Sequence, residues 1–340
     1  MSRVRNPADL QDGPATAALT ELWASIETPL YKVEKLLTES IQSPVERITE
    51  IAEHLLSAGG KRLRPALTIL CAQMAGADTK RTVTFATVVE LMHTATLIHD
   101  DVIDDAGTRR GRPSANRLWG NQSVVMAGDY LYAKSFEILA EDGDVEIIRL
   151  FSDASSKMCA GEILELQKAF DSDLSEAGYE EIIRLKTGQL IRAACEAGVI
   201  SGGGEWVTAG RLGQFGLHIG MAFQMVDDLL DICGDGVQLG KPAGNDLIEG
   251  KVTLPIIRTL STLPDAERDV LARIISSREV TSDNATVAAS IVHGGDGIEY
   301  ARRAARQFVE RGLSYVEELL PHPTLENLRI ITEFIMERQF

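Results

Sequence analysis

From Ala15 to the end, nearly every stretch of this chain repeats its apolar residues at steps of three and four, a rhythm that permits helices and little else. Trp23, Ile26 and Leu30 keep this step, as do Ile48, Ile51 and Leu55, and, near the other end, Leu328, Ile331, Phe334 and Ile335. No stretch reads as successive alternating strands. Breakers punctuate the rhythm at Gly59-Gly60, Gly76, Gly111 to Pro113, Gly143, Gly202 to Gly204, Gly234 to Gly244, Pro264, Gly294-Gly295 and Pro321 to Pro323. Hydrophobic residues make up 44% of the chain but aromatics only 5%, so the core must be Ala, Leu, Ile and Val, which favours helices. No repeat or low-complexity linker marks a boundary. The expectation is an all-α fold, a single domain over residues 17–340 with ten or more helices around a central cavity. Residues 1–16 read as a loose leader, because Pro7, Asp12, Gly13 and Pro14 discourage a helix.

The charge balance narrows the partners. There are 34 basic against 50 acidic residues, a net −16, whereas nucleic-acid binders carry a basic face. Anionic substrates stay open, since clustered carboxylates can hold a metal that in turn holds phosphate. Cys71, Cys159, Cys195 and Cys233 are far apart, without zinc spacing, and read as reduced core thiols. The N-terminus lacks the apolar stretch of a signal peptide. The most apolar segment, Thr87 to Ile98, contains Glu90 and His93 and is too short to span a bilayer. A soluble, cytoplasmic protein without a transmembrane segment is expected.

Two acidic clusters carry the chemistry. In His99-Asp100-Asp101-Val102-Ile103-Asp104-Asp105 the carboxylates of Asp100, Asp101 and Asp104 lie at i, i+1 and i+4, within about 100° on a helix. Three carboxylates so close repel one another unless a cation neutralises them. Hard oxygen ligands grouped in this way suit Mg²⁺, which keeps some water and takes its other ligands from substrate phosphates. A lone DDxxD is more often a solvated helix end, but here apolar Leu97 and Ile98 run straight into it. Arg109-Arg110-Gly111 follows within two turns and is able to grip phosphate. Far downstream, Asp227, Asp228 and Asp231 repeat the spacing inside an apolar helix, with Gln224 on the same face one turn earlier. Two such clusters on separate helices are able to clamp one diphosphate between metal ions.

With these motifs in their order, the chain closely resembles the trans-type isoprenyl diphosphate synthases, most of all the bacterial medium- and long-chain polyprenyl diphosphate synthases. The likeness runs from about Gly59 to Pro255. It includes Gly59-Gly60-Lys61-Arg62-Leu63-Arg64-Pro65, the Asp100 cluster, Arg109-Arg110-Gly111, Gly128-Asp129, Lys186-Thr187, the Gln224 and Asp227 block, Gly240-Lys241-Pro242, Asn245-Asp246 and Gly250-Lys251. The resemblance implies a prenyltransferase that joins isopentenyl diphosphate head to tail with an allylic diphosphate. It also implies Mg²⁺, three ions with substrate bound, held by the six cluster aspartates, and a homodimer.

By the same resemblance Lys61, Arg64, His93 and Arg110 bind the diphosphate of isopentenyl diphosphate, with Lys251 a further substrate contact. Arg109, Lys186 and Lys241 face the allylic diphosphate, and Thr187 and Gln224 offer oxygens to the allylic cation. Read alone, His93 is more readily a hydrogen-bonded core histidine, and Arg62, lying between the others, is open to a simply solvated reading. After Lys186-Thr187 the family continues with Ala and then Leu-Phe, whereas this chain has Gly188-Gln189-Leu190-Ile191.

Product length is read from Ala95 and Thr96, which precede Asp100 on its helix. In the family, bulky aromatics there close the product tunnel early, so two small residues imply an open tunnel and a medium or long product of the quinone side-chain type. Phe136, Leu139 and Met158 are guesses for its floor. Geranylgeranyl or farnesyl diphosphate synthase is the competing reading. A terpene cyclase has no need of Lys61, Arg64 and Arg110, a non-catalytic subunit would have lost aspartates, and a His-Asp hydrolase would need further histidine ligands near His99. Peripheral membrane contact for product release is compatible with all of this.

Overall fold

The computed structural model describes residues 14–76, 79–233, 244–317, 319 and 323–337. The helical rhythm translates directly into helices, and Gly59-Gly60, Gly76, Gly111 to Pro113, Gly143, Gly202 to Gly204 and Pro264 fall between them. They are α1 (Pro14–Ser40), α2 (Glu46–Ser57), α3 (Leu63–Ala75), α4 (Lys80–Ile103), α5 (Ala115–Trp119), α6 (Asn121–Asp142), α7 (Val145–Lys168), α8 (Glu176–Ile183), α9 (Gln189–Ser201) and α10 (Trp206–Cys233). Then come α11 (Asn245–Ile248), α12 (Leu254–Thr262), α13 (Asp265–Ser276), α14 (Ser282–Gly294), α15 (Gly297–Glu317) and α16 (Pro323–Met336). The expected all-α fold is what forms. Among the described residues the sole strand pairing is a two-residue hairpin, β1 (Thr108–Arg109) against β2 (Arg112–Pro113).

The chain divides into two compact units. The first comprises the described residues up to Asp153, with Ile191–Gly216 and Tyr315–Ile331; the second comprises Ala154–Leu190, Leu217–Ser314 and the described residues from Thr332. In the first unit α4 is buried along most of its length, with Phe85, Val88, Val89, Leu91, Met92, Ala95 and Ile98 inaccessible to solvent. Its start is fixed by a capping box between Thr79 and Thr82. Arg81, in its first turn, is tied to α6 by paired bonds of 2.7 Å to Asp142. In the second unit Met225, Val226, Leu229 and Leu230 of α10 pack with Tyr179, Ile182 and Ile183 of α8 and with Leu254 and Ile256 of α12.

α1 begins at Pro14, where a missing N–H costs nothing. Cys71 and Cys195 are buried and Cys233 is half-buried, but Cys159 is exposed and is not a core thiol. The buried seam of α7 is Phe151, Ala154, Met158 and Gly161, and Cys159 falls one residue past it. No helix among the described residues is long and apolar enough to cross a membrane.

Candidate active site

In the first unit the DDxxD carboxylates sit where α4 ends. Asp104 caps the helix, its N–H donating to the Asp100 carbonyl at 2.9 Å, and the Ala106 N–H closes back onto Asp101 at 3.0 Å. Asp101 is 0% exposed. Arg109 Nε donates to its Oδ1, while Oδ2 is buried with no hydrogen-bond partner. An orphaned buried carboxylate oxygen is rare in a folded protein and leaves an acceptor open to a water or an ion.

The hairpin delivers the arginines. Arg109 pairs with Arg112, and the two loop residues, Arg110 and Gly111, have φ of 51° and 74°. A two-residue loop with both positions left-handed is of the type I′ kind, which glycine accepts and arginine adopts under strain. His93, two turns before Asp101 on α4, is half-buried. Desolvation, followed by the charges of Arg64, Arg110, Arg109 and Arg62, holds its pKa well below the usual 6.5. It is therefore a neutral imidazole at neutral pH, able to donate one hydrogen bond without adding charge. Arg64, His93, Arg109 and Arg110 are thus gathered into one cluster of basic side chains, with Lys61 in the loop that leads into it.

Arg62 departs from the expectation of a solvated side chain. It is 7% exposed and bonded to Glu34 on α1 at 2.5 Å and Glu90 on α4 at 2.7 Å. Ala95 is fully buried, and the Thr96 hydroxyl, half-buried, donates to the His93 carbonyl at 2.7 Å. Phe136 is half-buried, and Leu139 and Met158 are buried.

In the second unit Asp228 is held by neutral donors. Tyr179 donates its hydroxyl to Asp228 Oδ2 at 2.5 Å, and Gln224 Nε2 donates to Oδ1 at 2.9 Å. Thr187 Oγ1 in turn donates to Gln224 Oε1 at 2.7 Å, which fixes which way that amide points. Asp228 is 6% exposed. Its burial raises the pKa to about 7; the bonds from Tyr179 and Gln224 work against this, and Glu165 and Asp227 add to it. Burial and then the negative charge of Asp228 push the Tyr179 phenol well above 10, so the proton stays on the tyrosine. Asp231 Oδ2 accepts from the Asp246 N–H at 3.0 Å, and the Asp246 carboxyl is raised well above the usual range by burial and by Asp231 and Asp228.

Lys186 and Thr187 lie on a π-helical turn, Arg184–Gly188, inserted between α8 and α9, a distortion that recurs at functional sites. Gly161 of α7 lets that turn approach: a Cβ there would stand 2.5 Å from the Lys186 N atom. Lys186 Nζ sits between Glu162 at 2.8 Å and Glu165 at 2.5 Å. Lys251 pairs with Glu249 at 2.5 Å. Together Lys186, Lys251, Lys168, Glu165, Asp228 and Asp246 line a cavity whose apolar wall is Leu174, Ile182 and Ile183. The sequence motifs did not mark Tyr179, Glu162 or Glu165; Tyr179 precedes Lys186 by two helical turns, which was a readable hint. Lys241 lies outside the described residues.

Among the described residues no group of three His, Cys, Asp or Glu side chains is gathered tightly enough to hold an ion alone. Mg²⁺ asks for less, since it completes its shell with water and substrate phosphate. The open oxygen on Asp101 and the buried, mutually repelling carboxylates of Asp228 and Asp246 fit such an ion.

A family model described as polyprenyl synthetase matches residues 45–292. An all-trans-nonaprenyl-diphosphate synthase (geranyl-diphosphate specific) of Rhodobacter capsulatus is 34% identical over 94% of this chain and 97% of its own. A short chain isoprenyl diphosphate synthase of Methanothermobacter thermautotrophicus is 36% identical over 91% of this chain and 98% of its own. A solved polyprenyl synthase from Caulobacter crescentus, complexed with calcium and isoprenyl diphosphate, superposes with a TM-score of 0.91 at 35% identity, covering 97% of this chain and 99% of that one.

Proposed function

Because the chain belongs to the polyprenyl synthetase family and is a prenyltransferase, we propose that it condenses isopentenyl diphosphate with a farnesyl- or geranylgeranyl-type allylic diphosphate, dependent on Mg²⁺, to give a medium or long all-trans polyprenyl diphosphate for quinone side chains. The observation that carries this is the recurrence of a buried, cation-demanding carboxylate, Asp101 and Asp228, in two DDxxD clusters that each have basic side chains close by.

Asp100, Asp101, Asp104, Asp227, Asp228 and Asp231 hold the ions in this proposal, three of them with substrate present. Bound there, divalent ions supply positive charge against the negative charge that develops on a departing diphosphate. Lys186, Lys251 and Lys241 add fixed cations on the allylic side, and Arg109 joins them after exchanging its Asp101 contact for phosphate. Stabilisation of this kind counts most as the C–O bond breaks. Thr187 and Gln224, aligned by their mutual hydrogen bond, turn oxygen toward the allylic cation, and the apolar wall of Leu174, Ile182 and Ile183 keeps water from it. Lys61, Arg64, His93 and Arg110 hold isopentenyl diphosphate so that its double bond meets the cation. A proton is then lost, and the released diphosphate is the acceptor we propose, no dedicated base being assigned.

Small residues at Ala95 and Thr96 support a tunnel for a long tail. A geranylgeranyl- or farnesyl-length product is the second reading, favoured by the likeness to the short chain enzyme. Exposed Val125 and Met126 on α6 support a homodimer, and exposed Trp206 and Val207 support passing contact of a cytoplasmic enzyme with membranes when product leaves. Incubation with labelled isopentenyl diphosphate, farnesyl diphosphate and Mg²⁺, followed by product sizing, tests the proposal. Products beyond C20 are expected, and a ladder ending at C20 would select the shorter reading. Thr96→Phe should shorten the product; it is a better gate than Ala95→Phe, because a ring forced into the fully buried Ala95 position overpacks the core.

A further inference from the structure

Arg62 occupies an expensive position for a side chain with no evident use. It stands immediately before α3 with φ 48° and ψ 34°, in the left-handed region that a Cβ disfavours. Its guanidinium is fully committed on one side. Nε and Nη2 reach Glu34 Oε1 and Oε2 at 2.5 and 3.3 Å, and Nη1 reaches Glu90 Oε1 at 2.7 Å. The carboxylates come from α1 and α4, 28 residues away in each direction. Buried ion groups of this kind are weak net stabilisers, and in some proteins their use is to specify a single conformation. With two carboxylates on one guanidinium the group is net negative, so Arg62 does not act as an anion ligand itself.

What it specifies is the loop that carries the basic cluster. Lys61 precedes it and Arg64 follows in the first turn of α3, whose Ala66 N–H returns to the Arg62 carbonyl at 3.0 Å. A Cβ on Gly60 would lie 3.1 Å from Arg62 Nη1 and 3.6 Å from Arg110 Nη1. Two guanidiniums therefore share the space above Gly60, and Glu90, one turn before His93 on α4, supplies the charge that lets them coexist. We propose that Arg62, anchored by Glu34 and Glu90, is a positioning residue that sets the 59–64 turn so that Lys61 and Arg64 present their charges to the diphosphate of isopentenyl diphosphate. This rests on the reading of the first unit's basic cluster as the isopentenyl diphosphate site.

The test is steady-state kinetics on the full chain with both substrates varied, alongside thermal melts. Arg62→Gly removes the anchor, while glycine still accepts a φ of 48° without strain. It should raise KM for isopentenyl diphosphate about tenfold or more, since misplacement by an ångström or so has that scale, and leave the allylic KM within about twofold. Glu90→Gln keeps the shape and one acceptor oxygen and should raise the same KM several-fold; it decides the matter if Arg62→Gly does not fold. Arg62→Lys, a single ammonium that cannot hold both carboxylates, should fail to restore binding. Unchanged isopentenyl KM in folded Arg62→Gly and Glu90→Gln, or both KM values rising together with a lowered melting point, would overturn the proposal. Lys61→Ala separates the two possible failures. If it raises the isopentenyl KM while Arg62→Gly does not, the anchor is wrong and the site stands; if neither does, the site reading falls and the anchor with it.

Discussion

The two DDxxD clusters share one spacing and differ in what surrounds the middle carboxylate. In the first unit Asp101 is answered by a cation, Arg109, on a hairpin whose turn is strained. In the second, Asp228 has a phenol and an amide instead, and burial lifts its pKa to about 7. A motif therefore fixes where carboxylates project but not how strongly they need a metal. Asp101 is paired with an arginine of its own chain, whereas Asp228 has only neutral side-chain donors.

Replacing either carboxylate should have the largest effect. Asp101→Asn and Asp228→Asn should each lower kcat by about 100-fold to 1000-fold in the farnesyl diphosphate assay, the scale expected when one preorganised charge contact is lost. The two variants should part company in metal-free melts. Asp101→Asn strands Arg109 and should lower stability by about 2 kcal/mol, a figure discounted because Arg109 is partly exposed. Asp228→Asn removes a buried charge with no cationic partner and should leave the melting point unchanged or higher. Equal shifts in both would erase the contrast.

Next in size is the support for Asp228. Tyr179→Phe takes away the hydroxyl that orients it and should weaken Mg²⁺ binding, titrated calorimetrically with inorganic pyrophosphate present, by about tenfold. Affinity equal to the unaltered protein's would mean that the tyrosine only packs.

The smallest effects are on stability against pH with the metal chelated, and they run in opposite directions. Asp228 has a raised pKa, so its contribution is fully present below 3.8 and is lost as the pH climbs through about 7. His93 has a lowered pKa, so its contribution is fully present above 6.5 and is lost as the pH falls toward its folded value. Melting curves from pH 4 to 8 should therefore lose their alkaline-side decline in Asp228→Asn and part of their acid-side decline in His93→Gln. If each substitution flattened the opposite limb, the electrostatic contrast would be wrong.

The helices, their breaks and both acidic clusters were legible because each is written locally, in a period or a spacing. Gln224 was legible for the same reason, lying one turn before Asp228 on a single helix. Arg62 was misread because its partners, Glu34 and Glu90, are 28 residues away on either side, and nothing in Gly-Gly-Lys-Arg announces a left-handed backbone. Tyr179 was missed because its bond to Asp228 spans 49 residues. The π-helical turn under Lys186 was hidden as well, since it depends on α7 coming close at Gly161.

Both acidic clusters should hold ions once a diphosphate is bound, and counting bound Mn²⁺ by spin resonance, with an unreactive allylic diphosphate analogue present, tests this directly. Ion binding should depend on the analogue, and the number bound should fall in Asp101→Asn and in Asp228→Asn alike. A count that stays unchanged when either cluster is disabled, or condensation that proceeds undiminished in chelator, would contradict it.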